Sequence, residues 1–328
     1  MRALLLEAPG DPSGLRLGEI EPPALDPGAV LIAVEACGLN PVDASTARSG
    51  HPAWTYPHVP GLDIVGRVEA VGEAVGHLGA GDRVAVHTDL RRGGGLGELA
   101  AVDARAVALV PAGLGPVEAA ALPCAGLTAL QAVARRLDVE PGDTVLVTGG
   151  SGGVGGFAVQ LAVLAGARVI ATASAAHHEA VRELGAHDVI DYRSEDVAAR
   201  VRELTGGRGV DAVVDTVSAS SATENLSLLA HGGGIACVAG RADLSAVPPF
   251  TTAPSVHEIA LGAAHAADDE RSVAWLAEGL ELLMDLVVAE ELDPLVTATV
   301  TLAEAPAALA RVGERHTRGK VVAVLTEH

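Results

Sequence analysis

Asp143-Thr-Val-Leu-Val-Thr-Gly-Gly-Ser-Gly-Gly-Val-Gly-Gly-Phe157 is the stretch on which the reading of this chain turns. Thr144 to Thr148 is a short apolar run rich in β-branched residues, the composition of a buried strand. Glycines then interrupt it, with Gly150, Gly152 and Gly155 at the G-x-G-x-x-G spacing and Ser151, Gly153 and Val154 between them. Val154, Ala158, Leu161 and Ala165 recur at helical spacing until Gly166. Strand, glycine turn and helix together give the spacing its meaning. Such a turn lets bare backbone N–H groups approach a pyrophosphate, and the helix N-terminus adds partial positive charge. The competing reading is a glycine loop that merely turns. The flanking strand and helix favour a dinucleotide site.

Outward from this stretch the chain alternates. Strands are expected at 144–148, 168–173, 188–191, 210–215, 234–239 and 258–262. Helices are expected at 154–165, 177–184, 195–204 and 220–230, which is the rhythm of a doubly wound parallel sheet in an α/β protein. Residues 119–136 read as an alanine-rich helical stretch broken at Pro123 and Gly126, and 268–291 as one amphipathic helix. Before about Val117 the texture is short strands, prolines and turns. After Pro294 a strand, a short helix at 303–312 and a last strand at 320–325 are expected.

The whole chain sets limits on function. Its 328 residues suit two domains, and 49% hydrophobic residues suffice for two cores. A formal net charge of −20 argues against nucleic acid or an anionic membrane surface as partner. The sequence shows neither an 18-residue uncharged apolar run nor a signal-peptide pattern, so no membrane insertion is expected. Cys37, Cys124 and Cys237 are scattered and odd in number, which speaks against disulfides and for a cytoplasmic location.

Candidate site residues cluster early and late. Asn40-Pro-Val-Asp43 reads as a helix cap with proline at the first helical position and Asp43 closing a capping-box-like pair. That explanation is purely structural; the functional one puts the Asn40 amide at a substrate or nicotinamide site. The loop His51–His58 gathers Trp54, Tyr56 and two histidines in a chain with 2% aromatic residues, and is either a site wall or a surface loop pinned by one ring. Lys320, in Arg318-Gly-Lys320, is the only lysine among 22 basic residues. It marks either a need for a compact ammonium or a surviving surface lysine.

The cofactor is read from the tip of the second strand of the repeat. Ser174 stands there, 19 positions past Gly155, near the roughly 20 expected for the ribose contact. No carboxylate follows before Glu179, while His177 and His178 lie close and Tyr192 and Arg193 follow the next strand. A hydroxyl in place of Asp or Glu accepts a 2′-phosphate, so NADP(H) is expected over NAD(H).

The ordered set Gly38-Leu-Asn-Pro-Val-Asp43, Pro60-Gly-Leu-Asp-Ile-Val-Gly66, Gly81-Asp-Arg-Val84, Ala120-Ala-Leu-Pro123 with Gly126-Leu-Thr128, the glycine turn, Val189-Ile-Asp-Tyr192, Asp211-Ala-Val-Val-Asp215 and Arg318-Gly-Lys320 resembles the zinc-free quinone-oxidoreductase (zeta-crystallin-like) branch of the medium-chain dehydrogenase/reductase superfamily. The resemblance covers the whole chain. It implies a GroES-like, mostly-β catalytic domain over 1–120 and 291–328, a Rossmann domain over 121–290, an active-site cleft and a homodimer. It implies NADPH, with Thr128, Ser174, His178, Tyr192, Ala239, Gly240, Arg318 and Lys320 around the cofactor beside the glycine turn. It places Asn40 and Asp43 at the active site. Zinc relatives use Cys, His or Glu, and Cys; the matching positions here are Asn40, Leu62 or Asp63, and Cys124, a poor donor set, so no metal is expected. Without a Lewis acid the acceptor should be an activated one, a quinone or α,β-unsaturated carbonyl, with Asn40 donating to the developing oxyanion and Tyr56 or solvent supplying the proton. An enoyl-thioester or secondary-metabolite enoyl reductase, and a cofactor-binding protein without catalysis, are the alternatives.

Overall fold

The computed structural model describes residues 1–314 and 317–325. Thr144–Thr148 is the central strand of a six-stranded parallel sheet. The spatial order is Asp188–Asp191, Arg168–Ala173, Thr144–Thr148, Val210–Asp215, Leu229–Cys237, Ser255–Glu258, which in chain order is 3-2-1-4-5-6. That is the doubly wound order, whose switch point lies between the first and fourth strands. The strands are apolar on both faces because helices cover both. Gly153–Leu164 is buried from Gly155 through Ala162, so it is apolar all round rather than amphipathic. Leu146, Ile170, Ile190, Val213, Ile235 and Leu226 share one core beneath the helices.

The chain divides into two compact units, Thr128–Ala260 and Met1–Leu127 with Leu261–His328. The sequence expectation gave 121–290 to the dinucleotide unit. The difference comes from Glu270–Val288, whose Val273 packs in the other unit's core with Val30, Ile32, Val84, Val86 and Val102. Leu283 of the same helix lies against Gly126, where a Cβ would come within 2.9 Å of its Cδ1. The stretch 119–136 resolves into Pro116–Ala120, Pro123–Leu130 and a π-helical turn Gln131–Arg136. The fifth strand starts at Leu229, earlier than its apolar run suggests: Leu229 already pairs with Val210, and Gly232 and Gly233 lie in the irregularity before Gly234 pairs with Ala212. The long helix expected at 268–291 spans Glu270–Val288, with Asp269 as its side-chain cap.

The other unit is built on a mostly antiparallel sheet in the order Val296–Thr301, Lys320–Val324, Ala29–Leu39, Asp63–Val71, Arg83–His87, Ala108–Leu109, with Leu99–Asp103 also pairing with Ala29–Leu39. Helix Pro41–Ser49 leaves the end of the long strand, and Ala305–Gly313 packs beside it through Ala305, Ala308 and Leu309. No helix among the described residues is long and apolar enough to cross a membrane.

Candidate active site

Register assembles a buried polar cluster in the unit of Met1–Leu127 and Leu261–His328. Val321 pairs with Leu39, so Lys320 and Asn40 sit at adjacent strand ends. Gly38 pairs with Asp63, and Asp63 pairs in turn with His87. Gly38 has to be glycine: a Cβ there would stand 2.2 Å from the Ala120 carbonyl oxygen and 2.9 Å from Asp63 Oδ2. Pro123–Leu130 begins beside this point, and the Cys124 backbone N–H donates to Asp63 Oδ1 at 2.8 Å.

Asp63 is the hub of the resulting cluster. Its Oδ2 accepts from Asn40 Nδ2 at 2.8 Å and from Lys320 Nζ at 3.4 Å. Lys320 Nζ also donates to Asn40 Oδ1 and to the Leu39 carbonyl. The second N–H of Asn40 reaches the Gly38 carbonyl at 3.3 Å. Asp43 supplies the return bond of the capping box, accepting from Asn40 N at 3.0 Å, and also accepts from Leu62 N at 3.2 Å. Asn40, Asp43, Asp63 and Lys320 are each at most 3% exposed.

Burial governs the electrostatics. It raises the Asp43 carboxyl to about 7, helped by the neighbouring Asp63 charge and opposed by Lys320. It raises Asp63 too, against the pull of Lys320 and Asn40. Cys37 and Cys124 are pushed well above the usual thiol range by burial and the carboxylates. His87 falls to about 3 through burial and the charge of His265, whose ring stacks 6.4 Å away.

The sole lysine is therefore no surviving surface residue. Its ammonium is buried between an amide and a carboxylate. The resemblance had set Lys320 beside the cofactor; its partners here are Asn40, Asp63 and Leu39. Arg318 is exposed, with its carbonyl accepting from Thr297 Oγ1. Tyr56 is 38% exposed and makes no hydrogen bond through its hydroxyl among the described residues; its ring meets Trp54 edge-on at 6.5 Å. Trp54 is the ring that pins the loop, stacked on His58 at 3.9 Å and donating to the Leu90 carbonyl.

Sequence reasoning named Asp63 and Cys124 but missed the histidine beside them, His87. Asp63, His87 and Cys124 bring one ligand atom each to within 4.8 Å of one another. His87 Nδ1 is buried without a hydrogen-bond partner among the described residues. Nothing in Val84-Ala-Val-His87 marks this histidine; only the cross-strand pairing with Asp63 reveals it. Three N, O and S donors are what a catalytic zinc site needs. The ammonium on Asp63 is the obstacle. A divalent ion on Asp63 would share that carboxylate with the ammonium and meet a repulsion on the order of several kcal/mol at an effective dielectric near 20. As it stands, with Lys320 charged, the donor set does not fit a zinc ion.

The glycine turn lies within the other unit, Thr128–Ala260. Gly149 N and Gly150 N donate to Thr172 Oγ1 and to the Thr172 carbonyl, which ties the turn to the neighbouring strand. Gly152 caps Gly153–Leu164, and the first backbone bond of that helix runs from Gly156 N to the Gly152 carbonyl. The N–H groups of Gly153, Val154 and Gly155 precede it and are the open donors of a helix start. A Cβ on Gly155 would lie 2.1 Å from the Gly149 carbonyl oxygen, so only glycine lets the helix seat this tightly. The cradle fits a pyrophosphate. Thr128 is buried in Pro123–Leu130.

Ala173 pairs with Asp191, so Ser174 and Tyr192 leave adjacent strand ends. Ser174 makes no side-chain cap bond. Arg193 lies over the Tyr192 ring, 5.7 Å from its centroid, and Asp191 is engaged with Arg193 N and Ser194. His178 is held by the Ala173 carbonyl at 3.2 Å. Asp215 pairs with Cys237, which puts Ala239 and Gly240 past the same sheet edge as Thr216–Ser218. Asp215 accepts from Val217 N, Ser218 N, Ser221 Oγ and Asn225 Nδ2 and so fixes that turn, a contribution the sequence reading missed.

A doubly wound sheet with a pyrophosphate cradle, joined in one chain to a GroES-like unit holding a buried polar cluster, defines a nicotinamide-dependent oxidoreductase. Residues 26–112 match the alcohol dehydrogenase GroES-like domain, and 153–278 match the zinc-binding dehydrogenase family. The chain is 32% identical to the quinone oxidoreductase of Sus scrofa over 278 residues, 83% of this chain and 84% of that protein. The quinone oxidoreductase from Coxiella burnetii aligns with a TM-score of 0.85 at 28% identity over 99% of each chain. The CurK enoyl reductase aligns with a TM-score of 0.87 at 26% identity, again over 99% of each chain. The protein belongs to the medium-chain dehydrogenase/reductase superfamily, and quinone oxidoreductases are among its relatives.

Proposed function

We propose that the protein is an NADPH-dependent reductase of quinones or α,β-unsaturated carbonyl compounds that works without zinc. The observation that supports NADPH is the end of the second strand: Ser174 stands where an acidic residue would repel a 2′-phosphate, with Tyr192 and Arg193 on the next strand end. NADPH, when bound, supplies the hydride that adds to the conjugated carbon. The open amides at 153–155 hold the pyrophosphate, and Ser174, His178 and Tyr192 receive the adenosine end.

The acceptor class follows from what the first unit can offer. Its cation is an ammonium locked between Asn40 and Asp63, which suits an acceptor that spreads its own negative charge by conjugation. Both N–H groups of Asn40 are engaged, so the reading gives Asn40 and Asp43 the task of holding the site's shape. Tyr56, with its hydroxyl unengaged among the described residues, is the proton donor in this reading, with water as the other source. The likeness to an enoyl reductase supports a second acceptor type, an enoyl thioester, reduced by the same chemistry. In this reading the enzyme is a cytoplasmic homodimer.

The test is NADPH oxidation across quinones, enals, enones and enoyl thioesters, each repeated with NADH and with chelator. Saturable turnover of one class with kcat/KM favouring NADPH is expected. Equal kcat/KM with NADH ends the cofactor assignment, loss of activity in chelator ends the zinc-free one, and NADPH binding with no turnover of any class favours a non-catalytic role. Tyr56→Phe should lower kcat while leaving NADPH affinity unchanged; full turnover removes Tyr56 from the mechanism.

A further inference from the structure

We propose that Thr172 and Thr216 are positioning residues for the dinucleotide: they grip one peptide plane, Thr148–Gly149, from either side and so fix the aim of the glycine turn. The inference rests on the cofactor reading above, is independent of the acceptor, and lies wholly within the unit Thr128–Ala260. The plane is the first one past the central strand. Its carbonyl, that of Thr148, accepts from Thr216 Oγ1 at 2.7 Å. Its N–H, that of Gly149, donates to Thr172 Oγ1 at 3.1 Å. The C=O and N–H of a trans peptide point in opposite directions. Here each meets a threonine hydroxyl, one in the second strand and one just past the fourth, and both strands flank Thr144–Thr148. Thr216 N donates in return to Thr148 Oγ1 at 3.2 Å.

The plane matters because Gly149 is the pivot of the turn. Gly149 has φ 71°, in the left-handed region, and no side chain to steady it. Its carbonyl accepts from Gly152 N at 3.0 Å and is the atom against which Gly155 is seated. A tilt of the 148–149 plane is therefore passed on to the N–H groups of 153–155. Thr216 is itself braced. Asp215, 1% exposed, accepts from Val217 N and Ser218 N and leaves the Thr216 N–H for Thr148. A Cβ on Gly149 would lie 2.7 Å from Thr216 Oγ1, so the hydroxyl already rests against the pivot. The clamp stands between the first and fourth strands, at the switch point where a doubly wound sheet receives its ligand. Valine has the shape of threonine with a methyl for the hydroxyl. A methyl cannot stay 2.7 Å from a carbonyl oxygen, so Thr216→Val removes the bond and pushes the plane aside.

The experiment titrates NADPH into the full chain by calorimetry and records Tm without cofactor. Thr216→Val is expected to raise Kd about fivefold, within the roughly 2- to 12-fold that one neutral hydrogen bond is worth. Thr216→Ser keeps the hydroxyl and should bind within about twofold of wild type. Thr172→Val should weaken binding by a similar factor. The double valine variant should cost no more than about the larger single loss, because releasing either end frees the plane. Thr205→Val is the matched control: its hydroxyl donates to the Val201 carbonyl at 2.8 Å, ahead of the start of the fourth strand, so its loss should lower Tm and leave Kd unchanged. If Thr216→Val does not fold, Thr216→Ala is scored in its place. A folded variant without the Thr216 hydroxyl that binds NADPH as wild type does overturns the proposal. So does a serine variant that binds as weakly as the valine one, or a control that loses as much affinity. Losses that multiply in the double variant overturn the shared plane. Wild type that binds neither NADPH nor NADH ends the cofactor reading and this proposal with it, a result distinct from failure in the variants alone.

Discussion

Gly155→Ala tests the pyrophosphate cradle most directly. The added methyl would lie 2.1 Å from the Gly149 carbonyl oxygen, 2.7 Å from its carbonyl carbon and 3.1 Å from Gly150 Cα. All three are backbone atoms, so no side chain can swing away. Restoring an ordinary contact needs about 1.3 Å of separation between helix and turn, which is far more than a close-packed interior yields without strain. Overpacking of this kind costs roughly 1–3 kcal/mol, a fall in Tm of roughly 3–10 °C. The shift also pulls the open amides of 153–155 off their aim. A hydrogen bond to a charged group contributes roughly 1.5–3 kcal/mol, so losing one weakens cofactor binding by about 10- to 100-fold. Gly152→Ala is the matched control: its methyl would find only the Gly149 oxygen, at an ordinary 3.4 Å. Thermal unfolding and NADPH titration by fluorescence or calorimetry read both effects. If Gly155→Ala keeps wild-type Tm and affinity, the cradle does not depend on this seating and the reasoning fails. If Gly152→Ala loses as much Tm as Gly155→Ala, the cause is a general intolerance of the turn.

Three further outcomes are expected. Asp63→Ala leaves the Lys320 ammonium buried without its carboxylate and should cost about 3–5 kcal/mol in denaturant unfolding; the double variant Asp63→Ala/Lys320→Met should recover part of that, and strictly additive losses would show that the two groups do not act as a pair. His58 is lowered to about 4 by burial and by the charge of His51, so the unfolded chain takes up a proton near 6.5 that the folded chain refuses until about 4; stability from this group is lost as pH falls through that window, and His58→Phe should flatten the decline in Tm between pH 7.5 and 4.5, an unchanged decline placing its origin elsewhere. Ser174→Asp should shift preference from NADPH toward NADH by about tenfold or more in kcat/KM, worth ~1.4 kcal/mol, and an unaltered ratio would show that the 2′-phosphate is not held at this strand end.

Much of the fold was legible because it is written in local patterns. The β-branched run at 144–148, the glycine spacing and the apolar helix after it identify one βα unit, and its repetition gives the doubly wound order found in the sheet. Ser174 could be placed by counting from Gly155, because helix and strand lengths convert residues into distance. Lys320 stood out by composition, although composition gave no hint of its partners. Which core receives the helix Glu270–Val288 was not legible, because amphipathic periodicity reports that one face is buried and is silent about what covers it.

By itself, then, the sequence determined the glycine turn and the repeated βα units behind the class of fold, since each unit is written within roughly thirty positions. Tertiary structure decided the chemistry of the other half: Asn40, Asp63, His87, Cys124 and Lys320 span 280 positions and meet only because four strand ends and a helix start align in register. Register is a cooperative property of the whole sheet, set by which faces are buried, and no local spacing encodes which aspartate the sole lysine will neutralise.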